Sequence, residues 1–313
     1  MSNQVIRTIF MGTPEFALPG LKSLIEAADF EIIGVFTQTD KPVGRQQILT
    51  PPSVKELALQ YDLKVFQPEK IKTEIETIKN LKPDLIVVIA YGKIIPQEIL
   101  DIPKYNCINI HASLLPKYRG AACLNAPILN GDSETGVTIM KMEAGLDTGP
   151  ILRQTKMILT GRETLTMVHD KLAFLGTEIL VATLRDWVQG KIEPQIQDDS
   201  QSSYIKTLKK EDGRIDWSKP AIEIERIIRA LNPWPGTHSN WKNKTIKIIT
   251  VEQKPLEKTN KIIGQVFKTD NKLAIQCGQG ALVILKLQLE GKKIMTSEEF
   301  LRGNQNFINQ ILN

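Results

Sequence analysis

The first half of the chain alternates apolar, β-rich runs with stretches of helical periodicity. Residues 85–90 (LIVVIA) are apolar at every position, as expected for a strand that is buried on both faces of a sheet. Strands separated by helices predict an α/β fold with a doubly wound, mostly parallel sheet. The predicted strands are 5–11, 31–37, 85–90, 107–111 and 136–141, and the predicted helices are 14–28, 54–61 and 164–189.

The second half has a different composition. Residues 190–205 are polar and contain the run DDSQSS, which is typical of an extended linker. Because 313 residues exceed what one core usually holds, we expect two domains, residues 1–189 and 206–313, joined by this linker. A predicted helix and several short strands indicate a small OB-like β-barrel in the second domain. The helix is 222–231, and the strands are 245–251, 262–269, 273–276 and 282–289.

Positive charge is concentrated in the second half. Residues 1–205 carry 21 Lys and Arg against 24 Asp and Glu, a net charge of −3, whereas residues 206–313 carry 19 against 11, or +8. A basic module on a slightly acidic body suggests an anionic partner, of which nucleic acid is the commonest large one. A solvated, lysine-rich surface explains the charge equally well.

The cysteine and histidine content indicates the cellular compartment and whether the chain could hold a metal. Three cysteines and three histidines, all widely spaced, form neither a disulfide framework nor a zinc-site pattern. No basic and apolar leader opens the sequence, and no apolar run is long enough to cross a bilayer. We therefore expect a cytoplasmic protein without a metal centre or a membrane contact, and nothing in the sequence requires more than a monomer.

A polar pair marks the end of one predicted strand. Asn109 and His111 in the run CINIH alternate onto one face at the strand terminus. Ligands of open α/β sheets bind at this end of the strands. An amide can donate a hydrogen bond to a developing oxyanion, and an imidazole can act as general acid or base. For a lone histidine, capping of the strand is the commoner role.

A carboxylate lies in a second segment, EAGLDTGPIL, where Asp147 stands between Gly145 and Gly149. A glycine-bounded loop after a strand can carry a carboxylate over a neighbouring strand end, where it would orient the imidazole. An ordinary turn aspartate is the alternative, because Asp and Gly both favour turns.

Five ordered motifs resemble the methionyl-tRNA formyltransferase family, a branch of the 10-formyltetrahydrofolate-dependent formyltransferase superfamily. They are IFMGTPEFA, VVIAYGKIIP, INIHASLLPKYRGAA, GVTIMKMEAGLDTGPIL and NPWPGT. The resemblance extends over nearly the whole chain. It implies a formyltransferase Rossmann-like domain with an OB-like barrel and 10-formyltetrahydrofolate as co-substrate. It also implies transfer of the formyl group to the amino group of initiator methionyl-tRNA, for translation initiation.

The resemblance also implies the roles of individual residues. Asn109, His111 and Asp147 match the catalytic triad of the superfamily. Arg45 matches a basic residue of the insertion loop that reaches the acceptor arm of tRNA, and Phe16 matches an aromatic residue near the methionine side chain. The residues implied to contact the folate, in part through backbone groups, are Ser113, Leu114, Leu115, Pro116, Tyr91, Gly92 and Ile94. The charge pattern adds electrostatic tRNA contacts at Lys206, Lys209 and Lys210.

Two segments depart from the family pattern. The run RGAACLN replaces RGAAPIQ, so Cys123 and Asn125 stand where the family usually has Pro and Gln. We expect this change to alter a helix start rather than the chemistry. The run GRQQI replaces GRGKK in the insertion loop, so two lysines are absent. Arg45 or the basic barrel must then supply more of the phosphate contact.

The implied mechanism needs neither a covalent enzyme intermediate nor a metal. The methionine amine attacks the formyl carbon, Asn109 and protonated His111 stabilise the oxyanion, and Asp147 keeps the imidazole placed and charged. Three other classes stay open. They are a nucleotide-dependent oxidoreductase, although MGTPEF lacks the GxGxxG pattern; a folate transferase for a small amine or sugar; and a non-catalytic RNA-binding protein.

Overall fold

The computed structural model describes residues 5–44, 46–269 and 272–313. The chain divides into two compact units. The first contains Met1–Cys123, Thr135–Met157 and His169–Ile205, and the second contains Leu124–Glu134, Ile158–Val168 and Lys206–Asn313.

The strands are β1 (Ile6–Gly12), β2 (Phe30–Phe36), β3 (Lys41–Val43), β4 (Ile48–Thr50), β5 (Val65–Phe66), β6 (Leu85–Ile89), β7 (Cys107–His111), β8 (Arg119–Gly120), β9 (Glu134–Lys141), β10 (Ile151–Ile158), β11 (Tyr204–Ile205), β12 (Thr237–Trp241), β13 (Lys244–Val251), β14 (Val266–Thr269), β15 (Lys272–Gln276), β16 (Ala281–Leu289) and β17 (Met295–Thr296). The helices are α1 (Leu18–Glu26), α2 (Ser53–Gln60), α3 (Ile75–Leu81), α4 (Gln97–Leu100), α5 (Ala126–Asn130), α6 (Leu165–Val188), α7 (Ala221–Leu231) and α8 (Ser297–Gly303).

The first unit is built on a seven-stranded sheet with the order β10-β9-β7-β6-β1-β2-β5. Strand β1 pairs in parallel with β2 and β6, β6 pairs in parallel with β7, and β7 pairs antiparallel with β9. The chain leaves β1 towards β2 and returns to β6 on its other side, which creates a topological switch point. Every residue of β6 is buried, as its apolar run requires. The predicted doubly wound, mostly parallel sheet is confirmed.

Residues 190–205 belong to the first unit and do not form an extended linker. Strand β11 pairs in parallel with β8, and the side chain of Gln197 is only 7% exposed. The composition is misleading here because polar side chains can be buried when hydrogen bonds satisfy them.

The second unit contains an antiparallel sheet with the order β12-β13-β16-β15-β14, to which β17 adds by pairing with β16. The last residues of the chain join its two edge strands. On the β14 side, Asn309 N–H donates to Val266 O at 2.8 Å, and on the β12 side, Asn240 N–H donates to Asn313 O at 3.2 Å. The sheet therefore closes on itself around an apolar core, and the predicted barrel is confirmed.

Among the described residues, eight strands were not predicted, and the longest of these are β10 and β12. Strand β10 lies at the sheet edge, and its central residues RQTK are all polar, so no apolar alternation marks it as a strand in the sequence. The predicted strand 262–269 begins only at Val266, because Gly264 adopts a positive φ of 78° in a preceding turn. Within the described residues, no helix combines the length and apolarity that a membrane span requires.

Candidate active site

Strand β7 ends at the carboxyl edge of the sheet and presents Asn109 and His111. Both are buried, with exposed fractions of 9% and 6%. Their strand positions lie opposite Met140 and Thr138 of β9, which fixes the register. In the part of the chain that the structure describes, the Asn109 amide has no hydrogen-bond partner. A buried and unpartnered amide is free to donate to a ligand oxygen.

The His111 ring is held at one nitrogen and open to proton exchange at the other. Its Nε2 lies 2.9 Å from Tyr118 O, and because a carbonyl oxygen can only accept, Nε2 carries a hydrogen. Its Nδ1 lies 3.6 Å from Asp147 Oδ2, longer than a direct hydrogen bond. Nδ1 is therefore the nitrogen that gains or loses the proton.

Neighbouring groups favour the charged form of His111. Burial is the largest single influence and lowers the pKa of the imidazole, but the opposing effects of Cys123, the Asp147 carboxylate and the Tyr118 carbonyl outweigh it. The resulting pKa of His111 is raised to about 9. The ring is then an imidazolium near neutral pH. Cys123, a departure from the family pattern, thus lies beside the candidate catalytic histidine.

Asp147 is held in an uncommon backbone conformation. Its φ of 54° lies in the left-handed region, and its Oδ2 accepts a hydrogen bond from Gly120 N–H at 2.8 Å. Gly149, two residues on, lies so close to Lys141 O that a Cβ would clash with that carbonyl. The loop therefore needs glycine at this position, and it delivers the carboxylate to the imidazole.

Two residues outside the predicted site support this loop. The Gln197 amide donates to Asp147 O at 2.8 Å and to Gly149 O at 2.7 Å. Its Oε1 accepts from Arg119, Nε at 3.1 Å and Nη2 at 2.8 Å. The sequence did not predict a role for either residue, because Gln197 lies in the segment predicted to be a linker and no role was assigned to Arg119 in the motif KYRGAA.

The segment Ser113–Pro116 is tied to the sheet. Ser113 Oγ donates to Lys117 O at 2.6 Å, and Ser113 O accepts from Thr138 Oγ1 at 2.7 Å. Leu115 is buried against Met140 and Ile151. The polar groups of Ser113 are thus used within the protein, whereas Leu114 and Pro116 remain partly exposed. Contact between this segment and the folate stays a prediction.

The segment from Tyr91 to Ile94 offers backbone rather than side-chain contacts. The Tyr91 side chain is 1% exposed and belongs to the core, whereas Ile94 is 87% exposed. Tyr91 O accepts from Thr13 Oγ1 at 2.9 Å and from Gln38 Nε2 at 3.0 Å. A Tyr91 side-chain contact with the folate does not fit this arrangement. Contact between the backbone of this segment and the folate stays a prediction.

The structure describes only some of the residues predicted to contact methionyl-tRNA. Phe16 is buried and packs edge-on against His169, with ring centroids 5.4 Å apart. Arg45 lies outside the described residues. The barrel lysines Lys206, Lys209 and Lys210 are exposed. Across the described ranges, no group of three or more His, Cys, Asp and Glu side chains is placed to hold a metal ion.

Comparison with known proteins gives concordant results. The family model "Formyl transferase" matches residues 6–184, and "Formyl transferase, C-terminal domain" matches residues 207–305. A methionyl-tRNA formyltransferase of Clostridium novyi is 45% identical over 311 residues, which cover 98% of this chain and 100% of the relative.

Solved structures share the fold at lower identity. An N-formyltransferase from Helicobacter canadensis, in complex with folinic acid and dTDP-3-aminofucose, has a TM-score of 0.65 and 21% identity, covering 89% of this chain and 98% of that one. HypX from Aquifex aeolicus in complex with tetrahydrofolic acid has a TM-score of 0.62 and 18% identity, covering 97% of this chain and 47% of that one.

Proposed function

The chain belongs to the formyltransferase family, and we infer that it transfers a formyl group from 10-formyltetrahydrofolate to the amino group of methionyl-tRNA. The observation that carries the chemistry is the cluster at the end of β7. An unpartnered Asn109 side-chain amide lies on the same strand face as the His111 ring, whose open nitrogen faces Asp147 and whose pKa is raised to about 9. Full-length similarity to a methionyl-tRNA formyltransferase supports the acceptor.

The residues of the cluster divide the work. 10-Formyltetrahydrofolate supplies the formyl group, and attack by the methionine amine places negative charge on the formyl oxygen. Asn109 donates a hydrogen bond to that oxygen, and the positive charge of His111 stabilises it. Nδ1 of His111 gives a proton to the departing folate nitrogen and recovers the proton that the amine loses. Asp147 holds the His111 ring in place throughout.

The choice of acceptor is tested by offering two amines. Purified protein with 10-formyltetrahydrofolate is given either methionyl-tRNA or a dTDP-amino sugar, and the products are identified by mass spectrometry. We expect N-formylmethionyl-tRNA and no formylated sugar. Formylation of the sugar with no reaction on the tRNA would assign the chain to a different branch of the family.

A row of cations on the barrel supports tRNA as the partner. Lys247 of β13 lies directly opposite His238 of β12. On the other side of β12, Arg214 pairs with His238 in an isolated parallel β-bridge. The pKa of His238 is lowered, first by burial and then by Lys210, Lys247 and Arg214. Among the described residues, none of these three cations has a carboxylate partner. Such an unneutralised row is suited to the phosphates of a nucleic acid.

Replacing Lys247 with glutamine is expected to weaken tRNA binding without changing the fold, because the lysine is exposed. The affinity for deacylated initiator tRNA should fall, and the slope of log Kd against log salt should decrease by about 1, the effect of one lost phosphate contact. Lys286→Gln is the matched control, since Lys286 is an exposed lysine of the same sheet that lies near Glu299. Equal slopes for all three proteins would exclude the row as a phosphate site.

We further propose that the first unit carries the transfer and the second unit holds initiator tRNA, with the protein acting as a cytoplasmic monomer. The acceptor supports this location, because aminoacylated tRNA is found where translation takes place.

A further inference from the structure

We propose that Gln197 is a positioning residue that holds the Asp147 carboxylate against His111, an inference that rests on the proposed function. Its amide group donates to Asp147 O at 2.8 Å and to Gly149 O at 2.7 Å, so it spans the turn on both sides of Thr148. The side chain is 7% exposed and is shielded from water.

The orientation of the Gln197 amide is fixed by a buried arginine. Arg119 is 1% exposed, and its guanidinium can only donate, so the oxygen of Gln197 must face Arg119 and the nitrogen must face the Asp147 loop. Arg119 is in turn held by Tyr204 Oη at 3.0 Å and by Asp199 Oδ1 at 2.7 Å. The amide therefore has one orientation rather than two.

Strand β8 and the segment that contains Gln197 hold the side chain and the backbone of Asp147, respectively. Gly120 directly follows Arg119, and its N–H donates to Asp147 Oδ2 at 2.8 Å. Gln197 holds the backbone of Asp147 while Gly120 holds its carboxylate. Because the φ of Asp147 is 54°, the loop depends on such contacts to keep a conformation that non-glycine residues rarely adopt.

Loss of the Gln197 donor leaves two carbonyl oxygens without their partner and releases one side of the turn. The carboxylate could then move away from Nδ1 of His111. The two atoms lie 3.6 Å apart, and no direct hydrogen bond between them would resist this movement. The imidazolium would lose part of its stabilisation, so Gln197 acts through Asp147 and His111 and touches no substrate.

The test compares Gln197→Leu with Asp199→Asn. The leucine variant removes the donor, whereas Asp199, which is exposed, contacts the same arginine but not the loop. For Gln197→Leu we expect kcat to fall by roughly 10- to 100-fold with KM for methionyl-tRNA within threefold, the effect of misplaced catalytic groups. The His111 titration midpoint, followed by NMR, should move down by about 1 pH unit. Asp199→Asn keeps an oxygen that can accept from Arg119, so it should behave as wild type in both measurements.

Gln197→Glu serves where the leucine variant fails to fold. Its carboxylate still accepts from Arg119 but cannot donate to the loop, so kcat should fall in the folded variant. An unchanged kcat and His111 titration in a folded variant would overturn the positioning role. A wild type that formylates no methionyl-tRNA, together with a shifted titration in Gln197→Leu, would reject the proposed function and keep the positioning role.

Discussion

Replacing His111 with alanine is expected to lower kcat/KM for the formylation of methionyl-tRNA by a factor of about 10² to 10⁴. This range is typical for the loss of a general acid and base, and the same change also removes a positive charge from the developing oxyanion. The measurement is steady-state formylation with purified methionyl-tRNA and 10-formyltetrahydrofolate.

Binding separates this effect from misfolding. His111 is buried and its Nε2 donates to Tyr118 O, so the alanine variant also loses a local contact. We expect tetrahydrofolate and tRNA to bind within a few-fold of the wild-type affinities, because neither predicted binding segment depends on the imidazole. Equal losses of binding and of turnover would point to a structural role for the histidine.

Replacing Asp147 with asparagine is expected to lower kcat and to change its dependence on pH. The amide keeps an oxygen that accepts from Gly120 N–H but carries no charge, so the loop is preserved and the electrostatic support of the imidazolium is lost. We expect kcat at pH 7.5 to fall by about 10- to 1000-fold, which is the range for removing one preorganised electrostatic contact at an active site.

The pH profile gives the sign of the effect. In the proposed mechanism the imidazolium is the active form, and the pKa of His111 in the wild type is raised to about 9, so we expect activity below that pH and its loss as pH rises through it. In Asp147→Asn the alkaline limb should move down by about 1 unit or more. Glu143→Gln, an exposed carboxylate in the same loop, should leave the limb in place. Coincident limbs for Asp147→Asn and the wild type would contradict the role of Asp147.

The elements that carry the candidate catalytic cluster could be predicted because local sequence pattern determines them. The apolar run of β6 and the alternation of CINIH both encode buried strands, and the observed strand β7 begins and ends where the sequence predicts. That Asn109 and His111 share one face of this strand follows from strand alternation alone, whereas their catalytic role is implied by the resemblance. The position of Asp147 beside His111 could be predicted only from the resemblance, since a glycine-bounded loop by itself does not indicate which strand end it reaches.

Other parts of the site depend on contacts that no local pattern encodes. Gln197 and Arg119 lie 78 positions apart in the chain and meet only in the folded first unit. The polar composition of residues 190–205 predicts solvent exposure, but hydrogen bonds bury part of this segment. The closure of the barrel by the residues around Asn309 and Asn313 could not be predicted either, because this segment has no strand-forming pattern in the sequence. The burial of the Tyr91 side chain likewise follows from tertiary packing.

The most direct measurement is the rate of the chemical step in a single turnover, with enzyme in excess over methionyl-tRNA and 10-formyltetrahydrofolate saturating. Rapid quenching of wild type, Asn109→Ala and His111→Ala reports formyl transfer without product release. We expect each variant to slow this step by at least about 10²-fold while binding both substrates. A chemical step within a few-fold of the wild-type rate in both variants would show that the cluster at the end of β7 does not carry the transfer.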